Sequence, residues 1–194
     1  MIKELFLDLE TTGTDVKKCG IWQIGGIIRY DRKIKEEFEF SCDIFEDDEV
    51  DPEAMKMAGL TLLDFANFND PGDVYQKLIK ILEKHVDRFD KKDKFFITGY
   101  GVEFDVKCLR RWFEGMGDKY FGSWFWMPWI CVMTLAGQYL RPIRSSMPNF
   151  KLETVLDQLK IPHDKNKLHS ALYDATMAMK LYDRVIDGLS DIPL

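Results

Sequence analysis

Two carboxylates, Asp8 and Glu10, stand two residues apart in the run "FLDLETTG" (6–13), among apolar neighbours. Side chains alternate across a strand, so Phe6, Asp8 and Glu10 share one face and Leu5, Leu7 and Leu9 the other. Held side by side, the two acids repel and lose water, which disfavours the ionised pair unless a cation or donors compensate. Two further acids fall on apolar helical faces. In "VEFDVKCLRRW", Asp105 sits among Phe104, Cys108, Leu109 and Trp112. In "HSALYDATMAMKLYD", Asp174 shares a face with Ala171, Ala178 and Leu181 by i, i+3, i+4 and i+7 offsets. Oxygen ligands of this kind select hard cations such as Mg2+ or Mn2+. Two such ions about 3.5–4 Å apart can activate water and stabilise the leaving oxygen in phosphoryl transfer. Each acid also has a plainer reading: a turn cap for Asp8, solvent for Glu10, and pairing with an arginine such as Arg110 or Arg111 for the helical acids. Four on one strand and two helices point together to a metal-assisted site.

These residues need a scaffold. Residues 3–9 alternate as a strand. "IWQIGGIIRY" (21–30) and "KIKEEFEFSC" (33–42) are separated by the polar Asp31-Arg32 break and read as a hairpin. Phe38 and Phe40 take one face there, with Glu37 and Glu39 on the other toward solvent. Short helical turns are predicted near 52–57 and 61–66. A longer helix follows over 70–89, opened by Asp70 and Pro71 and carrying Val74, Leu78, Ile81, Leu82 and Val86 at helical spacing. "KFFITGY" (94–100) reads as a strand and 102–115 as a helix. "WFWMPWI" (124–130) reads as a further strand, with helices over 131–140, 151–160 and 169–187. The order predicts an α/β fold: a mixed five-stranded sheet, three antiparallel strands first, then alternating helices and strands, flanked by helices.

Composition sets outer bounds. The 194 residues suit one domain, spanning 1–194, and 46% are hydrophobic against 31% charged. No stretch approaches the roughly 18 apolar residues of a membrane span, and the acidic start lacks the pattern of a signal peptide. The four cysteines form no C-x-x-C pair, which argues for reduced thiols. A cytoplasmic protein with no membrane partner is the expectation. The net charge of −6 argues against tight, non-specific duplex binding. It leaves room for an enzyme that grips a short strand end.

The motifs "FLDLETTG", "GVEFDVKCL" and "HSALYD", in that order from Phe6 to Asp174, resemble the three signatures of the DnaQ-like, or DEDD, 3′–5′ exonucleases. "IWQIGG" is similar to the second-strand pattern of that family. The resemblance implies an RNase H-like fold, two divalent cations (Mg2+ or Mn2+), and release of nucleoside 5′-monophosphates from the 3′ ends of single-stranded DNA or RNA. It implies that Asp8, Glu10 and Asp174 bind the ion carrying the attacking water, that Asp8 also touches a second ion, and that Asp105 reaches that second ion. The family's general base is a Tyr four residues before the last Asp or a His five before it. Ser170 and His169 occupy those positions, so the chain resembles the His branch (DEDDh), with His169 as base. The same comparison implies nucleotide contacts from the backbone at Leu9 and Thr11 and from Met57 and Phe104.

Some positions depart from the family. Tyr100 and Gly101 stand where many relatives have His-Asn, and Met57-Ala58-Gly59-Leu60 lacks the usual His. Both departures bear on substrate grip. Trp124, Trp126 and Trp129 are read as core or subunit packing, with base stacking as the other reading. Arg141, Arg144, Lys165 and Lys167 could steer a phosphate backbone. A homodimer or a polymerase or repair partner is left open, as is an inert nucleic-acid-binding or regulatory protein on the same fold.

Overall fold

A computed structural model describes residues 1–190, so the last four positions of the expected 1–194 domain lie outside the described residues. Its centre is β1 (Lys3–Thr11), which pairs antiparallel with β2 (Ile21–Tyr30); β2 pairs in turn with β3 (Lys33–Ser41). On its other edge β1 pairs parallel with β4 (Phe96–Gly99), and β4 with the two-residue β5 (Ile130–Cys131). The sheet order is β3-β2-β1-β4-β5, as the RNase H-like reading requires. The β2–β3 turn puts both Asp31 and Arg32 at positive φ, 46° and 66°, the twist-matched geometry of a two-residue hairpin.

The helices are α1 (Pro52–Ala58), α2 (Leu62–Phe65), α3 (Pro71–His85), α4 (Glu103–Gly115), α5 (Val132–Tyr139), α6 (Leu152–Gln158) and α7 (Ala171–Ser190). Leu5, Leu7, Leu9, Ile24 and Ile28 form one sheet face and pack on Val74, Leu78 and Leu82 of α3 and Val106, Leu109 and Phe113 of α4. The opposite face carries Phe6 and Ile27 against Met179 of α7. Arg29, 2% exposed, bridges β2, β1 and α7 through Glu4 at 2.7 Å and Asp183 at 2.9 Å. A second core joins α5, α6 and α7 through Val132, Ala136, Val155, Leu156, Leu181 and Val185. Among the described residues no helix is long and apolar enough to cross a membrane.

The sequence reading departs from the structure in four places. The helix expected over 70–89 stops at His85, where Val86 turns extended and Asp87 and Asp90 accept amides from Phe89 and Lys92 in tight turns. The strand expected over 124–130 reduces to Ile130–Cys131, because the aromatic run packs rather than pairs. Trp124 is fully buried, and Phe125 makes only an isolated bridge to Phe95. Pro128 follows a cis peptide bond and offers no N–H to a ladder. The helix expected from 169 begins at Ala171, after His169 at φ 68°. Lastly, Glu39 serves α7 as well as solvent.

Candidate active site

β1 gathers the acids. Asp8 lies opposite Gly25 and Glu10 opposite Gln23, on the face that α7 covers. β4 pairs only with Glu4, Leu5 and Phe6, so the Leu9 N–H has no strand partner on that edge. A buried amide needs an acceptor, and Asp105 Oδ1 takes it at 3.2 Å. This bond ties the first turn of α4 to the end of β1 and leaves Asp105 only 6% exposed.

The start of α7 is pinned by side chains of β2 and β3. Gln23 Oε1 accepts the Ala171 amide at 3.0 Å, while Glu39 Oε1 accepts the Leu172 amide at 3.1 Å and the Ser170 hydroxyl at 3.0 Å. They satisfy donors that a helix start leaves open. Gly25 permits the approach: a Cβ there would meet the Leu172 nitrogen at 2.1 Å and the Ala171 carbonyl carbon at 2.3 Å. One turn on, Asp174 reaches back toward β1. Its Oδ2 accepts the His169 amide at 3.2 Å, which the left-handed backbone of His169 makes possible. Its Oδ1 is buried with no hydrogen-bond partner among the described residues. Glu10, His169 and Asp174 each place one ligand atom within 4.8 Å of the others, with the His169 ring exposed to water.

The electrostatics match a site short of positive charge. Burial, then the charges of Asp105, Asp174 and Glu10, push Asp8 well above the usual carboxylate range. Burial and the Asp174 and Asp105 charges push Glu10 up to about 7. Burial pushes Asp105 up to about 7 against the relief from its own amide and that of Leu9. Asp174 is raised by burial, with the His169 amide and ring opposing. The nearby arginines are engaged elsewhere: Arg111 with Asp48 at 2.6 Å and the Cys19 carbonyl, and Arg110 over the Phe121 ring. Among the described residues none of the four acids has a Lys or Arg ion-pair partner. An all-carboxylate donor set with an orphaned buried oxygen fits hard divalent ions.

The remaining expected residues are placed less centrally. The Leu9 amide is committed to Asp105, and the Thr11 hydroxyl donates to the Gly13 carbonyl at 2.8 Å. Phe104, partly buried, adjoins Asp105 and packs on the core edge; Met57, 74% exposed, stands on α1. The Tyr100 hydroxyl donates to the Phe150 carbonyl at 2.6 Å, and Tyr173 packs while accepting the Asp164 amide. Gln23, Gly25 and Glu39 had no role in the sequence reading. The Gly25-Gly26 pair inside a strand is a signal of close backbone approach. Gln23 and Glu39 carry no such signal, since their partners lie 148 and 131 residues away.

A family model for exonucleases of the RNase T type matches residues 5–182, a span that holds all five of the clustered residues. The chain belongs to the DnaQ-like 3′–5′ exonuclease family. Among relatives of this exonuclease chain, the PolC-type DNA polymerase III of Thermotoga petrophila is 24% identical over 186 residues, 96% of this chain but 12% of that protein. DNA polymerase III subunit epsilon of Aquifex aeolicus is 21% identical over 183 residues, 94% of this chain and 80% of that one. E. coli exonuclease I in complex with a dT13 oligonucleotide superposes with a TM-score of 0.75 at 20% identity, over 96% of this chain and 41% of that chain. A 3′-exonuclease solved for 3′-end-specific recognition of a histone mRNA stem-loop gives 0.70 at 17% identity, over 96% and 64%. The exonuclease fold is therefore shared with an enzyme bound to a dT13 oligonucleotide and with one that recognises a histone mRNA stem-loop, and the chain spans less than half of exonuclease I.

Proposed function

We propose that this chain hydrolyses the 3′-terminal phosphodiester of single-stranded DNA or RNA and releases nucleoside 5′-monophosphates. One observation carries the reading: four carboxylates from β1, α4 and α7 converge without a neutralising side chain, beside the exposed ring of His169. Asp8, Glu10, Asp105 and Asp174 would hold two divalent ions, Mg2+ or Mn2+. Bound there, such ions supply the positive charge that acidifies water and offsets charge developing on the phosphate. An imidazole nitrogen of His169 accepts the proton of the attacking water, the role of a positioned general base. The water oxygen bonds to phosphorus, the bond from phosphorus to the penultimate O3′ breaks, and that oxygen takes a proton from solvent water. The hydrogen bond that the His169 amide donates to Asp174 keeps base and ligand in one unit. Backbone at Leu9 and Thr11 would meet the terminal sugar, with Met57 and Phe104 against the last base.

The exonuclease I complex with dT13 supports a single-stranded DNA end as substrate, and the histone mRNA enzyme supports RNA. The polymerase III names of two relatives support a proofreading or repair setting. The test is incubation of 5′-labelled single-stranded DNA and RNA of equal sequence with Mg2+, Mn2+ or EDTA. A ladder of shortened strands only with metal is expected, and the faster polymer gives the sugar preference. His169→Ala should remove most of that ladder; full activity in this variant would take the base role from His169. Strands that are bound but never shortened would count against the nuclease reading.

A further inference from the structure

Away from the acids of β1, the end of α6 forms a corner where Glu153, Asp157 and His163 meet. Glu153 and Asp157 are four residues apart and so lie on one side of the helix. After Leu159 the chain reverses through Lys160 at φ 55° and brings the His163 ring beneath them, its side chain only 4% exposed. Nδ1 of His163 lies 3.0 Å from the Ile161 carbonyl. A carbonyl only accepts, so Nδ1 carries a proton and donates. In the neutral ring Nε2 is then a lone pair. That nitrogen is buried with no hydrogen-bond partner among the described residues, and faces Asp157 Oδ1 across 3.6 Å. One ligand atom from each of the three residues lies within 4.8 Å of the others.

A ring held at Nδ1 by a carbonyl, with Nε2 aimed at carboxylates, is how proteins orient a metal-ligating histidine. Lys165 Nζ now contacts Glu153 at 2.6 Å and Asp157 Oδ2 at 3.0 Å. Its side chain is 59% exposed, and a surface pair of that kind holds weakly enough to be displaced. Bonds of about 2.1 Å put ligand atoms about 3.4 Å apart around a tetrahedral ion, a modest contraction from the present spacing.

We propose that Glu153, Asp157 and His163 form a second divalent-metal site, separate from the catalytic acids, taking borderline ions such as Zn2+ in preference to Mg2+. One imidazole and two carboxylates suit Zn2+, while Mg2+ favours an octahedral oxygen shell. The ion fastens α6 to the segment leading to His169, in which Asp164, next to His163, already donates its amide to the Tyr173 hydroxyl.

The test is calorimetric titration of Zn2+ into the full chain in excess Mg2+, comparing wild type with His163→Ala and Asp157→Asn. The wild type should bind one equivalent more than either variant, and Co2+ in its place should give an absorption band lost in both. The Asp157 side chain is 54% exposed, so Asp157→Asn keeps the fold even where His163→Ala loosens the corner. Equal equivalents in wild type and Asp157→Asn would overturn the site. Asp8→Asn, which disables the catalytic acids, should retain the extra equivalent. Its loss there would assign the ion to the catalytic face and overturn the site as well.

Discussion

Asp8 shows at the residue scale how stability and activity oppose each other here. Its carboxylate is raised by burial and by three neighbouring acids, so the ionised form destabilises the metal-free fold. Asp8→Asn keeps the shape and removes the charge. Cleavage should fall about 10²–10³-fold, the range seen when one electrostatic contact to a transition state is lost. The melting temperature in EDTA should rise, and a fall in that temperature would remove the repulsion from the account. Four of the clustered residues were legible because their spacing is local, two apart on a strand or five apart across a helix start, and Asp105 because it interrupts an apolar helical face. Gln23 and Glu39 were not, since a glutamine or glutamate on a strand face looks solvated until a helix from the far end of the chain arrives.

At the scale of elements, the position of α7 decides whether Asp174 and His169 reach β1. Gly25→Ala would drive a methyl group into the backbone of Ala171 and Leu172. A loss of about 1–3 kcal/mol in urea unfolding is expected, the usual cost of overpacking. Cleavage by the folded fraction should drop as well, because the helix start must shift; unchanged activity would mean that α7 tolerates displacement. Arg29 makes the complementary case at the other end of that contact. Removing it by Arg29→Ala strands Glu4, which is 5% exposed, and should cost about 3–5 kcal/mol. Strands β1 to β3 were legible because alternation and a polar break declare them. The segment 124–130 misled because Trp124 and Phe125 carry strand-like composition while their rings fill the core, and the backbone of Trp124 and Trp126 bonds Phe95 as an isolated bridge.

For the molecule as a whole, the proposed ion binding by the buried acids would couple to folding. Glu10 moves from 4.5 to about 7 and Asp105 from 3.8 to about 7 on folding. Between roughly pH 4 and 7 the folded protein therefore holds protons that the unfolded chain has released. Metal-free stability should fall as pH rises through that window, the Glu10 and Asp105 contributions being lost above about 7. Added Mg2+ should stabilise the protein increasingly over the same range, since only deprotonated carboxylates bind it. Thermal melts in EDTA and in Mg2+ across pH check both signs. The net charge of −6 argues against a tight, non-specific hold on duplexes, which depends on many Lys and Arg contacts to phosphates. The central claim, that Asp8, Glu10, Asp105 and Asp174 converge to hold divalent ions, is tested most directly by anomalous diffraction from crystals soaked in Mn2+ with a nucleoside 5′-monophosphate. Manganese peaks bounded by these four side chains are expected; saturating Mn2+ with no peak among them would contradict it.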